Sequence, residues 1–172
     1  MNTSPLDYRR VIGLAWPFIL ANAAVPLLGL VDTAVIGNLG SAQDLGAIAF
    51  GALIFSFVYW GFGFLRMGTT GFVAQAAGAS DFLEVRAVLG RSLLLAVGLG
   101  CLLIVLQLPV QWLAFSFLSG SYDVEQMAAL YFSIRIWGAP ATLMGFVGTG
   151  FLVGIGRSKT LLGLQLFLNG LN

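Results

Sequence analysis

The 172-residue chain has no histidine, one cysteine and few charged residues, and each shortage excludes a class of protein. Without histidine there is no His-based acid–base catalysis, no His-ligated metal and no Ser-His dyad. Cys101 cannot form an internal disulfide, and its apolar surroundings in the sequence predict a buried small hydrophobe. A net charge of +1 gives no strongly basic surface that could bind nucleic acid, so we expect no nucleic-acid partner.

Charged residues make up 9% of the chain, whereas 59% of residues are hydrophobic and the mean hydropathy is +0.96. A soluble domain carries about 25% charged residues. Fifteen charges cannot cover the surface of a water-soluble globule of this size, so most side chains must face lipid. The composition predicts an integral membrane protein whose partner is the lipid bilayer, and it argues against an enzyme.

Uncharged windows of 21 or more residues separate the charges, and their length as helices can be compared with the thickness of a bilayer. About 20 residues cross the hydrocarbon core as an α-helix. We therefore predict an all-α, polytopic helical bundle with four complete transmembrane helices, at residues 11–38, 45–78, 84–118 and 123–156, and the start of a fifth at 160–172. The second helix is too long for a straight crossing, and Gly61, Gly63 and Gly68 are the places where we expect it to bend.

Lysine and arginine near the predicted crossings fall on one side of the membrane, namely Arg9, Arg10, Arg86, Arg91, Arg157 and Lys159. The connections on the other side, residues 38–44 and 119–126, contain neither lysine nor arginine. Positive residues concentrate on the cytoplasmic side of membrane proteins. The N-terminus is therefore predicted to be cytoplasmic.

Glycine accounts for 23 residues, and several of them recur at helical spacing. Gly29, Thr33 and Gly37 share a face of the first predicted helix, and Gly150 and Gly154 form a GxxxG pattern on the fourth. Membrane helices associate by close packing over small residues. These positions predict helix–helix contacts and no chemical activity.

Charges within predicted crossings are costly, which makes Asp32, Arg66 and Arg135 candidates for function. The arginines can extend their long stems to the headgroups or pair structurally. The Asp32 side chain is too short for that. It must face the protein interior, where it either takes up a proton or a small cation or forms a buried ion pair with Arg135.

Pro26 lies within the first predicted helix, where it has no N–H for the carbonyl of Asn22 and forces a bend. Beside Asp32, this bend is either a moving hinge or a static kink, and Pro140 on the fourth helix is a weaker case. Other polar residues on the crossings predict interhelical hydrogen bonds and a polar cavity; they are Thr69, Thr70, Gln75, Gln107, Ser133, Thr142, Thr149 and Asn169.

The stretch from Gly29 to Gly40, with Pro17 and Pro26 before it, resembles the first helix of the multidrug and toxic compound extrusion (MATE) transporters. The string around Arg66, Phe-Leu-Arg-Met-Gly-Thr-Thr-Gly, is similar to the second helix of their DNA-damage-inducible F branch (DinF). Gly154-Ile-Gly156-Arg157 fits the fourth helix.

This resemblance implies a twelve-helix carrier of two lobes that exports organic cations or other amphiphiles in exchange for H⁺ or Na⁺, with no other cofactor. Asp32 matches the acid of the family's N-lobe cation site. Asn172, and less closely Asn169, matches its fifth-helix asparagine. If the carrier is coupled to Na⁺, Asp32 and Asn172 would be the metal ligands.

The resemblance covers four helices and part of a fifth, so we expect a partial N-lobe from a bacterial cytoplasmic membrane that needs the C-terminal part of the same transporter. The 172-residue chain alone is expected not to transport. Arg66, Gln75, Arg135 and Thr33 are candidates for substrate binding or structural hydrogen bonding.

Two other functions remain open. A flippase for lipid-linked saccharides from the same superfamily would need a cationic cavity, which the two arginines favour. A non-transporting membrane scaffold subunit would need no chemistry at Asp32.

Overall fold

The computed structural model describes residues 8, 11–13, 15–17, 19–23, 34, 42–117 and 122–171. All regular elements within these ranges are helical, which confirms the predicted all-α class. The helices are α1 (the described residues within Val11–Ala23), α2 (Ala42–Gly61), α3 (Gly63–Gly78), α4 (Phe82–Val105), α5 (Gln107–Phe117), α6 (Tyr122–Arg135), α7 (Ala139–Gly154) and α8 (Ser158–Leu171). A 3-10 turn, Ile136–Gly138, joins α6 to α7.

Three helical stretches are long and apolar enough to cross a membrane: Ile48–Gly78 with 31 residues, Phe82–Val105 with 24 and Tyr122–Gly154 with 33. They overlap the second, third and fourth predicted crossings. The first predicted crossing is described only in part, through the shorter apolar helix α1. The chain is thus a multi-pass helical membrane protein.

Two of the three long stretches are interrupted, the third ends at Val105 before α5 begins, and at two of these three breaks a proline supplies the cause. Pro109 has no N–H for the carbonyl of Val105, where α4 ends, and Pro140 has none for the carbonyl of Ile136, where the 3-10 turn begins. The remaining break is at Phe62, whose N–H bonds to the Tyr59 carbonyl at 3.0 Å. It lies between Gly61 and Gly63, two of the positions at which the sequence predicts a bend.

The α2–α3 and α6–α7 stretches run parallel and pack along each other. The rings of Phe55 on α2 and Phe132 on α6 stack with centroids 5.0 Å apart. Further along, the Thr70 hydroxyl on α3 lies 3.1 Å from the Gly150 carbonyl on α7. The main core lies between these stretches and α4, and its fully buried side chains include Phe132, Ile136, Leu143 and Val147.

Glycines on α7 let α3 approach to backbone contact. A Cβ at Gly150 would lie 2.5 Å from the Arg66 carbonyl oxygen, and one at Gly154 would lie 2.8 Å from the Val73 side chain. The predicted packing role of Gly150 and Gly154 is confirmed. The corresponding prediction for Gly29, Thr33 and Gly37 falls outside the described residues.

The prediction that Cys101 is buried is wrong, because its side chain is exposed on the surface of α4. In a membrane helix both the face toward the bundle and the face toward lipid are apolar. An apolar neighbourhood in the sequence therefore does not identify the packed face.

Two tight turns close the bundle at the end where Arg86, Arg157 and Lys159 are exposed, here called the basic end. The α3–α4 turn has Ser80 at φ 58°, and the Asp81 side chain caps α4 by accepting from the Glu84 N–H at 2.9 Å. The α7–α8 turn has Gly156 at φ 73°, a left-handed conformation that favours glycine. By the predicted orientation this end faces the cytoplasm.

Candidate functional site

A cavity of about 480 Å³ lies between α1, α3, α7 and α8. This volume is in the range of small-molecule binding sites. The described residues that line it are Ala21, Asn22, Arg66, Thr142, Gly145, Phe146, Thr149, Leu161, Leu164 and Gln165.

Arg66 and Asn22 form a polar contact that joins α3 to α1 at this cavity. The Arg66 guanidinium donates a hydrogen bond to the Asn22 Oδ1 at 3.1 Å. The sequence predicts Asn22 beside a hinge and an Arg66 that reaches the headgroups or pairs structurally, and it predicts no contact between the two. The structure brings both to one wall of the cavity.

The backbone of Arg66 is held against α7. The Thr70 hydroxyl lies 2.8 Å from the Arg66 carbonyl oxygen and 3.1 Å from that of Gly150. Gly150 has no side chain to separate the helices at this point. Packing and hydrogen bonding therefore fix the backbone of Arg66 on the side of α3 that faces α7.

The α7 and α8 walls are mainly apolar and include the buried Leu161, the half-buried Phe146 and the exposed Leu164. Thr142 and Thr149, which the sequence analysis placed in a polar cavity, line it. The Thr142 hydroxyl donates to the Gly138 carbonyl at 3.1 Å. Gln165 was missed, although an amide within the apolar run of α8 is a signal that could have identified it. Such a surface suits a small amphiphile.

Arg135 and Gln75 lie away from this cavity. The Arg135 guanidinium is 5.3 Å from the ring centroid of Phe55 and 5.4 Å from that of Tyr131, and it donates to the Tyr131 hydroxyl. Cation–π contacts of this kind stabilise a charge in apolar surroundings. Gln75 is exposed on α3 and lines a separate groove near Asp81 at the basic end.

The predicted ion site falls outside the described residues: Asp32, Thr33, Pro26 and Asn172 all belong to undescribed positions. Asn169 lies within α8, but its side chain is among the undescribed ones. In the described part of the chain, no group of three or more His, Cys, Asp or Glu side chains could hold a metal. The roles of Asp32 and the asparagines therefore stay predictions.

A polytopic helical bundle with a mixed polar and apolar cavity between its helices has the architecture of a membrane transporter. The sequence profile of the MatE family matches residues 17–172. The chain belongs to the MatE (MATE) family, whose members are transporters rather than enzymes. The family predicted from the sequence is thereby confirmed.

Relatives with curated names support the same family. DNA damage-inducible protein F of Escherichia coli is 43% identical over 159 residues, covering 92% of this chain and 35% of the relative. The probable multidrug resistance protein NorM of Acinetobacter baylyi is 30% identical over 154 residues, covering 89% of this chain and 34% of the relative. The chain thus spans about a third of the length of these relatives.

The fold is also found in a solved structure, that of a MOP superfamily transporter from Pyrococcus furiosus. It matches 94% of this chain and 36% of its own length, with a TM-score of 0.84 at 23% sequence identity. This likeness shows a shared helical arrangement.

Proposed function

We propose that the chain is part of a secondary active antiporter of a bacterial cytoplasmic membrane, which exports organic cations or other amphiphiles in exchange for H⁺ or Na⁺. The observation that carries this proposal is the 480 Å³ cavity with apolar walls and a few polar groups. Secondary transporters bind substrate between helices in this way. Membership of the MatE family and the names of the NorM relatives support the proposal.

In the proposed mechanism Asp32 is the ion-coupling carboxylate and the Pro26 bend is the hinge. Proton or cation binding changes the hydrogen bonds that Asp32 requires and shifts the bend, which lies between Asp32 and Asn22. Because Asn22 bonds to Arg66, this movement reaches the cavity wall. The ion can drive the change only through different affinities for the two states. In a Na⁺-coupled carrier, Asp32 and Asn172 would hold the ion, with Asn169 as the alternative asparagine.

The test is Asp32→Asn in the protein expressed from its intact gene, with ion-driven dye efflux measured in membrane vesicles. We expect efflux to be lost while the amount of protein in the membrane is unchanged. Asp123→Asn, at an exposed position on α6, is the matched control and should keep its efflux. Separate proton and sodium gradients identify the coupling ion. Full ion-driven efflux by Asp32→Asn would refute the coupling role.

The flippase remains a second candidate because Arg66 places a positive charge in the cavity wall. Competition between lipid-linked saccharides and cationic dyes separates it from the antiporter. A scaffold subunit would be recognised by a complementing strain that is insensitive to substitution of Asp32.

A further inference from the structure

A second groove, of about 240 Å³, lies between α3 and α4 at the basic end. It shares no described lining residue with the cavity between α1, α3, α7 and α8. Three polar residues line it, Gln75, Asp81 and Glu84, together with the apolar Phe72 and Val88 and two alanines. We call it the α3–α4 groove.

The α3–α4 groove crosses the boundary between the lipid headgroups and the hydrocarbon core. One apolar stretch ends at Gly78 and the next begins at Phe82, so Asp81 lies between two span ends. Phe72 and Val88 lie six residues inside these ends, about 9 Å deeper at roughly 1.5 Å per residue. Phe72 is also 63% exposed. The groove is therefore polar at headgroup depth and apolar below it, which is the order of groups in a phospholipid.

The polar end of the groove combines two carboxylates with a guanidinium at its edge. The Asp81 Oδ1 accepts from the Glu84 N–H at 2.9 Å, and no other described group bonds to this carboxylate. The Glu84 Oε1 pairs with the Arg91 Nη1 at 3.1 Å. Arg91 lies nine residues after the start of α4, so its long side chain reaches back toward the headgroups. The groove thus offers one carboxylate without an ionic partner and a guanidinium with donors that Glu84 does not use.

The other basic residues of this end do not line the groove. Arg86 comes two residues after Glu84, which places it on the opposite side of α4 at about 100° per residue. Arg157 and Lys159 belong to the α7–α8 connection. The charge pattern of the groove therefore differs from the positive charge of the basic end as a whole.

This pattern matches a zwitterionic headgroup with a primary amine. A primary ammonium group has three N–H donors for a carboxylate, whereas the trimethylammonium of choline has none. A phosphate matches the planar fork of a guanidinium. An anionic headgroup without an amine would instead meet the Asp81 carboxylate as a like charge.

We infer that the α3–α4 groove binds phosphatidylethanolamine. The ammonium group bonds to Asp81, the phosphate to Arg91, and the first methylenes of the acyl chains lie against Phe72 and Val88. By the predicted orientation this lipid belongs to the cytoplasmic leaflet. The groove is outside the proposed substrate cavity, so the inference does not depend on antiporter activity.

The test is lipid retention by the protein expressed from its intact gene, purified in detergent and measured by native mass spectrometry. Phosphatidylethanolamine, phosphatidylcholine and phosphatidylglycerol with the same acyl chains are compared, and we expect phosphatidylethanolamine to bind most tightly. Asp81→Asn should weaken its binding about twofold to fivefold, because an exposed ionic contact is lost, and should leave phosphatidylcholine binding unchanged. Asparagine caps a helix as well as aspartate does, so the start of α4 is kept. Asp123→Asn, at an exposed position on α6, is the matched control.

A second measurement needs no variant and keeps the test valid if Asp81→Asn does not fold. Stepwise N-methylation of the ethanolamine headgroup removes its N–H donors one at a time while the positive charge and the phosphate stay. Retention by the unaltered protein should fall with each methyl group.

Equal retention of phosphatidylethanolamine and phosphatidylcholine, or retention that does not change with N-methylation, would overturn the inference. So would a preference that survives Asp81→Asn or that is lost equally in Asp123→Asn. Tightest binding of phosphatidylglycerol would also overturn it, since the basic residues outside the groove would then determine which lipid binds.

Discussion

Gly150→Ala should destabilise the protein, because the α3–α7 contact has no space for a methyl group. The added Cβ would lie 2.5 Å from the Arg66 carbonyl oxygen, whereas ordinary contacts begin near 3.4 Å. The helices would have to separate by almost 1 Å. Overpacking of this kind costs about 1 to 3 kcal/mol. The Thr70–Gly150 hydrogen bond would also be stretched, at a cost of about 0.6 kcal/mol in a membrane protein. The higher helix propensity of alanine offsets up to about 1 kcal/mol of these costs, so we expect a net loss of about 1 to 2.5 kcal/mol in the free energy of unfolding.

The measurement is reversible unfolding of the purified protein in mixed micelles, titrated with a denaturing detergent. Gly148→Ala is the matched control, because it is on the same helix and a Cβ there meets nothing within 4 Å. It should be neutral or stabilising by up to about 1 kcal/mol, since alanine favours helix over glycine. If both variants unfold at the same detergent concentration, the reasoning about the α3–α7 contact is refuted.

Two further predictions concern Arg135 and the orientation of the chain. Arg135→Gln should lower the free energy of unfolding by about 0.5 to 2 kcal/mol, because its guanidinium lies 5.3 Å from the centroid of the Phe55 ring. A double-mutant cycle with Phe55→Leu should show that the two effects are coupled, and additive effects would contradict the cation–π contact. In a Cys101→Ala background, an impermeant maleimide added to intact cells should label Asp123→Cys and should label Ser80→Cys only after permeabilisation; the opposite pattern would reverse the predicted orientation.

The sequence was informative wherever a local pattern has one physical solution. Long uncharged windows give membrane helices, and the Gly150–Gly154 spacing gives a close helix contact. Pro140 indicates a bend, and the structure places it in the 3-10 turn that precedes the proline, where the Ile136 carbonyl accepts from the Ala139 N–H instead of from residue 140.

Contacts between helices could not be predicted in the same way. Arg66 and Asn22 are 44 residues apart, and their meeting depends on the rotation and depth of two helices. Hydropathy does not record either quantity, because all faces of these helices are apolar. The same limitation explains the wrong prediction for Cys101. Gln165 belongs to a cavity wall that only the packing of α8 against α7 creates.

The two tight turns at the basic end also limit how the protein can move. Helices α3, α4 and α7 pack on one another, and the α3–α4 and α7–α8 connections are only a few residues long. At the basic end, none of these three helices can shift without moving the other two. We therefore expect this end to move as a rigid body, and an affinity tag inserted at Ser80 or Gly156 to force apart the chain segments that hold it together.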